Sequence, residues 1–118
     1  MFNINTFEAI YRRTKRGAGV TGSLVRISLK PVGAKKLRVL THVSCENQSA
    51  SLTKIRLGIH NRGVDYYTDE IQTVAANELC VAKNDVLLGD GDRFFAEFTG
   101  ALNDNVLILN AFGWEQTL

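Results

Sequence analysis

The run from Val106 to Trp114 is apolar on both faces, with only Asn110 interrupting it. A strand of that kind has no face to offer water, so it belongs inside a sheet and under cover. Just upstream, Arg93 to Thr99 alternates: Phe94, Ala96 and Phe98 fall on one face, and Arg93, Phe95, Glu97 and Thr99 on the other. The connection Gly100-Ala101-Leu102-Asn103-Asp104-Asn105 has the glycine and Asn/Asp content of a hairpin turn. The two strands therefore read as one long antiparallel pair, and the rest of the chain has to cover it.

Period two continues upstream as far as Ser23. Val25, Ile27 and Leu29 share a face. Leu37, Val39, Thr41 and Val43 share another, with Arg38, His42 and Ser44 opposite. Ile55, Leu57 and Ile59 alternate with Lys54, Arg56, Gly58 and His60. Residues 65–68, 78–81 and 85–88 read as short strands. Turn signals recur roughly every eight to twelve residues, and no internal helix is convincing. In a chain of 118 residues this predicts a single all-β domain, a β-sandwich of seven to eight antiparallel strands over residues 23–118. Jelly-roll and immunoglobulin-like topologies fit the periodicity equally.

Residues 1–22 read differently, as an extended basic N-terminal arm. Residues 1–38 carry nine Lys/Arg against Glu8, whereas residues 39–118 carry five against eleven Asp/Glu. Phe2, Ile4, Phe7, Ile10 and Tyr11 are scattered apolar positions, and Thr6 to Arg13 could form one or two helical turns. The segment Lys15-Arg16-Gly17-Ala18-Gly19 is basic and flexible. An arm both sticky and flexible needs a partner surface to order it. Its expected partner-binding residues are Phe2, Phe7, Tyr11, Arg12, Arg13, Lys15 and Arg16. The charge asymmetry suits an acidic surface, on a neighbouring copy or on another protein. Nucleic acid is the weaker reading, because no aromatics cluster among the basic residues.

No catalytic constellation stands out. His42 and Ser44 share a strand face, and His60 sits at a strand end, with no orienting partner evident. Asp90, Asp92 and Asp104 could approach a hard cation, but glycine-flanked Asp closes turns without one. Cys45 and Cys80 have no zinc-like spacing, and buried free thiols in a reducing compartment is the preferred reading over a disulfide. Neither a cofactor nor a metal is expected. The start of the chain does not read as a signal peptide, and no apolar run is long enough for a membrane span. Among the aromatics, Tyr66, Tyr67 and Trp114 could make a carbohydrate platform. Phe95 points away from the Phe94 face, so another subunit covers it if its own chain does not. Trp114 is either a core plug, the preferred reading, or part of a contact surface; Phe95 and Trp114 complete the expected partner-binding set.

With these residues laid out, the region from Pro31 to Trp114 resembles the small all-β structural proteins of tailed-bacteriophage particles. The landmarks are a Pro/Gly turn before a basic-apolar strand (Pro31 to Leu40), an Asn/Ser/Ala loop (Glu46 to Ser51) and an alternating strand (Lys54 to Ile59). Later come a Gly-Asp-Arg strand closing on Phe-Thr-Gly (Gly91 to Gly100) and the apolar strand ending in Gly113-Trp114. The basic arm has no counterpart in that pattern. The resemblance implies a non-enzymatic virion component of head, neck or tail, assembled in the bacterial host cytoplasm. Such a protein is expected to self-associate as a homo-oligomer and to bind other capsid, neck or tail proteins. The alternative is a carbohydrate-binding module of a phage receptor-binding fibre.

Overall fold

The computed structural model describes residues 7–118. The elements are β1 (Phe7–Ala18), β2 (Val25–Ser28), β3 (Lys36–Asn47), β4 (Leu52–Asn61), β5 (Val64–Val74), β6 (Cys80–Val81), β7 (Val86–Leu88), β8 (Arg93–Thr99) and β9 (Val106–Thr117). Among the described residues there is no helix. The strands form two antiparallel sheets in an all-β, sandwich-like fold. One sheet runs β1-β9-β3, with β6 and β7 both on the far edge of β3; the other runs β2-β8-β4-β5. The pairing is nested. The first strand meets the last (β1 with β9), then β2 meets β8, β3 meets β6 and β7, and β4 meets β5.

Both sheets feed one core. Leu40, Val43, Cys45, Leu107, Leu109 and Ala111 come from the first sheet, and Ile27, Ile55, Leu57, Phe94, Ala96 and Phe98 from the second. Burying each of the large apolar side chains contributes roughly 1.5–3 kcal/mol. The alternation expected for β2, β4 and β8 is the one found, whereas β9, expected to be covered on both faces, buries Leu107, Leu109 and Ala111 in the core and leaves Val106, Ile108 and Asn110 half-buried on the other face.

Four expectations change. First, β8 and β9 are not a hairpin but belong to different sheets. Each already has a neighbour on both sides, so neither has a free edge for the other. Residues 100–105 cross between the sheets instead, closed by the Asn105 side chain accepting from the Leu102 amide at 3.1 Å.

Second, residues 7–18 are neither helical turns nor a loose arm. They form β1, paired along its length with β9, from Phe7 opposite Gln116 to Ala18 opposite Val106. The chain stays on its own body beyond that strand. Gly19 donates to the Asn105 carbonyl at 2.9 Å, and the Thr21 amide donates to the Asn103 side chain at 2.9 Å. The apolar C-terminal strand needs a neighbour on each side, and β1 supplies one.

Third, the inward set of β3 is shifted. A bulge lies between Leu40 and His42. Before it, Leu40 joins the shared core and Arg38 is buried beside the Tyr11 ring, whereas Leu37 is only half-buried and Val39, although buried, stands outside the core cluster; after it, Val43 and Cys45 face the core, as expected. One extra residue reverses the parity of everything on one side of it. Fourth, β5 is eleven residues long, reaching Val74, because β4 pairs with it throughout, with one register shift.

Candidate assembly surfaces

The two long strands at the margins carry opposite charge. β1 closes one end of the first sheet and holds Arg12, Arg13, Lys15 and Arg16 against Glu8. Arg12, Arg13, Lys15 and Arg16 are all exposed. β5 closes one end of the second sheet and holds Asp65, Asp69 and Glu70 with no Lys or Arg. The margins lie on opposite sides of the molecule. Beside β1 runs β2, where Lys15 Nζ donates to the Ser28 carbonyl at 2.6 Å. Beside β5 lies the segment around β6 and β7, where Ala82, Asp85 and Leu87 share a cleft with Thr68 and Asp69. An edge strand has a row of amides and carbonyls without ladder partners, which is a template for another strand.

The outer face of the first sheet is aromatic where β1 meets β9. Ile10, 72% exposed, sits opposite Trp114, and Arg12 sits opposite Phe112. The His42 ring stacks on Phe112 with centroids 5.5 Å apart. The next row is polar: Thr14 lies 2.7 Å from the Asn110 side-chain oxygen, and Asn110 donates to Ser44 at 3.3 Å. An open groove runs between Ile10, Arg12, Thr41, Phe112 and Trp114. Trp114 is half-buried there. This face brings together basic and aromatic side chains that are about a hundred positions apart in the chain.

The outer face of the second sheet is a closed polar network. Phe95 lies on it and is fully buried by its own chain. The Arg26 guanidinium sits 3.9 Å above its ring, Tyr67 meets it edge-on at 5.6 Å, and Gly58 leaves room beside it. Arg26 holds Asp65 through both nitrogens, at 3.1 and 2.7 Å, and also pairs with Glu97, which is 4% exposed. His60 Nδ1 lies 2.6 Å from Asp65, and Arg56 stacks on Tyr67 at 3.6 Å. The Tyr67 hydroxyl hydrogen-bonds to Glu97, which raises its pKa. Phe95 is therefore not a partner-binding residue waiting for a second subunit. No signal in one sequence could find this network, because it needs the register of four strands, β2, β8, β4 and β5.

Arg26 first, and His60 second, hold the Asp65 carboxyl well below the ordinary carboxylate range. A depressed folded-state pKa stabilises the fold above the unfolded value, near 4, and loses that contribution as pH falls below it. Urea unfolding midpoints between about pH 2 and 7 are expected to show this acid loss in the wild-type chain. Asp65→Asn is expected to lower the midpoint at neutral pH and to flatten the acid limb.

The remaining site residues separate clearly. Tyr11 is buried, held between the guanidinia of Arg38, 4.1 Å away, and Arg13, 4.9 Å away, so it is core and not docking surface. Burial raises its pKa, opposed by those two cations. Phe7 begins β1 opposite Gln116. Phe2 lies outside the described residues. Arg12, Arg13, Lys15 and Arg16 line the β1 margin. Asp92 closes its turn by accepting from the Gly89 amide at 2.8 Å and from Asn61. Among the described residues no three His, Cys, Asp or Glu side chains gather as metal ligands, and no helix is long and apolar enough to cross a membrane. Comparison with protein-family models gives no match, and comparison with curated protein sequences gives none.

Proposed function

We propose that this chain is a non-catalytic structural protein of a bacteriophage particle that assembles by pairing its basic margin, β1, with the acidic margin, β5, of the next copy. The observation that carries the reading is the pair of long open edges of opposite charge. Two copies joined β1 to β1 would oppose cation to cation, and β5 to β5 would oppose carboxylate to carboxylate. Only the unlike pairing is attractive, and an unlike contact is head-to-tail, so it closes into a ring or continues as a filament. Strand addition supplies the main-chain hydrogen bonds and charge supplies the choice of partner.

The nested pairing supports a finer fold assignment. With β6 and β7 taken as one interrupted strand, each strand of the first half pairs with its mirror in the second. That is a long hairpin rolled into a jelly roll, an architecture used by viral capsid proteins and by lectins. A fold by itself assigns no role, and the charged margins supply the mechanism here. They also change that mechanism. Residues 7–18 are committed to their own sheet, so neighbours are held along an edge and not clamped by a free arm.

Arg12→Glu with Arg16→Glu tests the reading. Sedimentation velocity at low salt is expected to find oligomers of the wild-type chain that dissociate as salt rises. The doubly reversed chain is expected to associate at least about a hundredfold more weakly. A wild-type chain that stays monomeric at every salt and protein concentration overturns the proposal.

The lectin reading draws on Tyr66, 56% exposed, and on the open groove beside Phe112 and Trp114. A glycan array with Tyr66→Ala and Trp114→Ala as controls separates the two readings.

A further inference from the structure

Cys45 and Cys80 are 35 positions apart in the chain, yet the antiparallel pairing of β3 with β6 puts them directly opposite each other. Both are free and both are buried, 0% and 5% exposed. Both belong to the shared core, so their side chains leave the sheet on the same face. The Ala82 amide donates to the Val43 carbonyl at 2.9 Å, so the ladder continues one step past the Ser44–Val81 pair. Residues opposite one another in antiparallel strands have Cα atoms roughly 4.5–5.5 Å apart. A disulfide accepts Cα separations of about 4.4–6.8 Å. Strand register thus delivers the spacing that a bridge needs, with both thiols already on one side.

We propose that Cys45 and Cys80 form a dithiol site that a small-molecule disulfide converts to a cross-strand disulfide joining β6 to β3. The Cys80 thiol loses its proton and its sulfur attacks the oxidant, forming a mixed disulfide and releasing one thiolate, which takes up a proton. The Cys45 sulfur, deprotonated in turn, then attacks Cys80 and releases the second thiol. Two protein thiols are oxidised and one oxidant disulfide is reduced to two thiols, so atoms and electrons balance.

Cys80 is the entry point. It is the less buried of the two, on a strand of only two residues flanked by exposed Leu79 and Val81. Burial raises both thiols above their ordinary pKa, so the native pair holds little reactive thiolate. The first attack therefore waits for β6 to lift, and the rate follows that local opening. Once formed, the bridge closes the chain around β4 and β5 and anchors the segment between β5 and β7.

The test uses the full wild-type chain with oxidised glutathione, followed by alkylation, intact mass and a non-reducing peptide map. Expected is a monomer lighter by two hydrogens and inert to alkylation, with the Cys45 and Cys80 peptides joined. Its urea midpoint is expected to be higher than that of the reduced chain, and Cys80→Ala is expected to form no such bridge. The same oxidant applied to the urea-unfolded chain serves as the positive control. If that control closes while the folded chain keeps both thiols, or yields only glutathione adducts or intermolecular dimers, the proposal is wrong.

Discussion

Gly113→Ala is expected to cost more than about 4 kcal/mol, at the extreme of single substitutions, and to leave little folded protein. Gly113 lies in β9, opposite Tyr11 on one side and Leu40 on the other. A Cβ there would sit 1.7 Å from the Val39 carbonyl oxygen and 2.8 Å from its carbon. These are backbone atoms, so no rotamer change relieves the clash. The β3 bulge follows at once, between Leu40 and His42. Strand β3 comes this close to β9 only because no side chain is in the way. Relief therefore requires separating the two strands that make the middle of the first sheet. Gly89→Ala is the control: its added methyl would meet nothing nearer than 3.9 Å, and about 1 kcal/mol or less is expected. Urea unfolding of both variants checks the pair.

Phe95→Ala is expected to cost about 3–5 kcal/mol in the isolated chain. The ring is fully buried although it faces away from the core. It is the floor of the outer network: Arg26 lies over it, Tyr67 abuts it, and Gly58 makes space for it with a Cβ position only 2.7 Å from the ring. Removing it leaves a void beneath a guanidinium that is bonded to Asp65 and Glu97. A subunit-docking role predicts the opposite pattern, with unchanged stability and lost association. Denaturant unfolding at a protein concentration that keeps the chain monomeric distinguishes the two.

Much of the core was legible because side-chain parity in a strand is a local property. Ile27, Ile55, Leu57, Phe94 and Phe98 can be placed inward from alternation alone, and the structure buries them. What local reading misses is who pairs with whom. The Gly100 to Asn105 turn has hairpin chemistry, yet it joins two sheets, because β8 and β9 each find both neighbours elsewhere in the chain. The same long-range pairing turns the basic leader into β1. Its glycines and charges signal a flexible segment, but the exposed flank of β9 outweighs that weak local preference. The bulge in β3 is a third case: the alternation of Leu37 and Val39 is present in the sequence, and one extra residue near Thr41 reverses its meaning. Of the expected contact residues, the cations lie where a partner could reach them, whereas Tyr11 and Phe95 are covered from within. Cover by an arginine face cannot be read from spacing, because it depends on strands that are distant in sequence.

Hydrogen exchange of the backbone amides, compared between low salt and dissociating salt, tests the central claim most directly. In a lone chain, alternate amides of β1 and β5 bond to β9 and β4, while the others point outward from each sheet edge. Pairing of β1 with β5 of a neighbour is expected to protect those outward amides in both strands together, and to leave β3 and β8 unchanged. Protection in neither strand, in only one of them, or only in the aromatic face around Trp114, would contradict assembly through the charged margins.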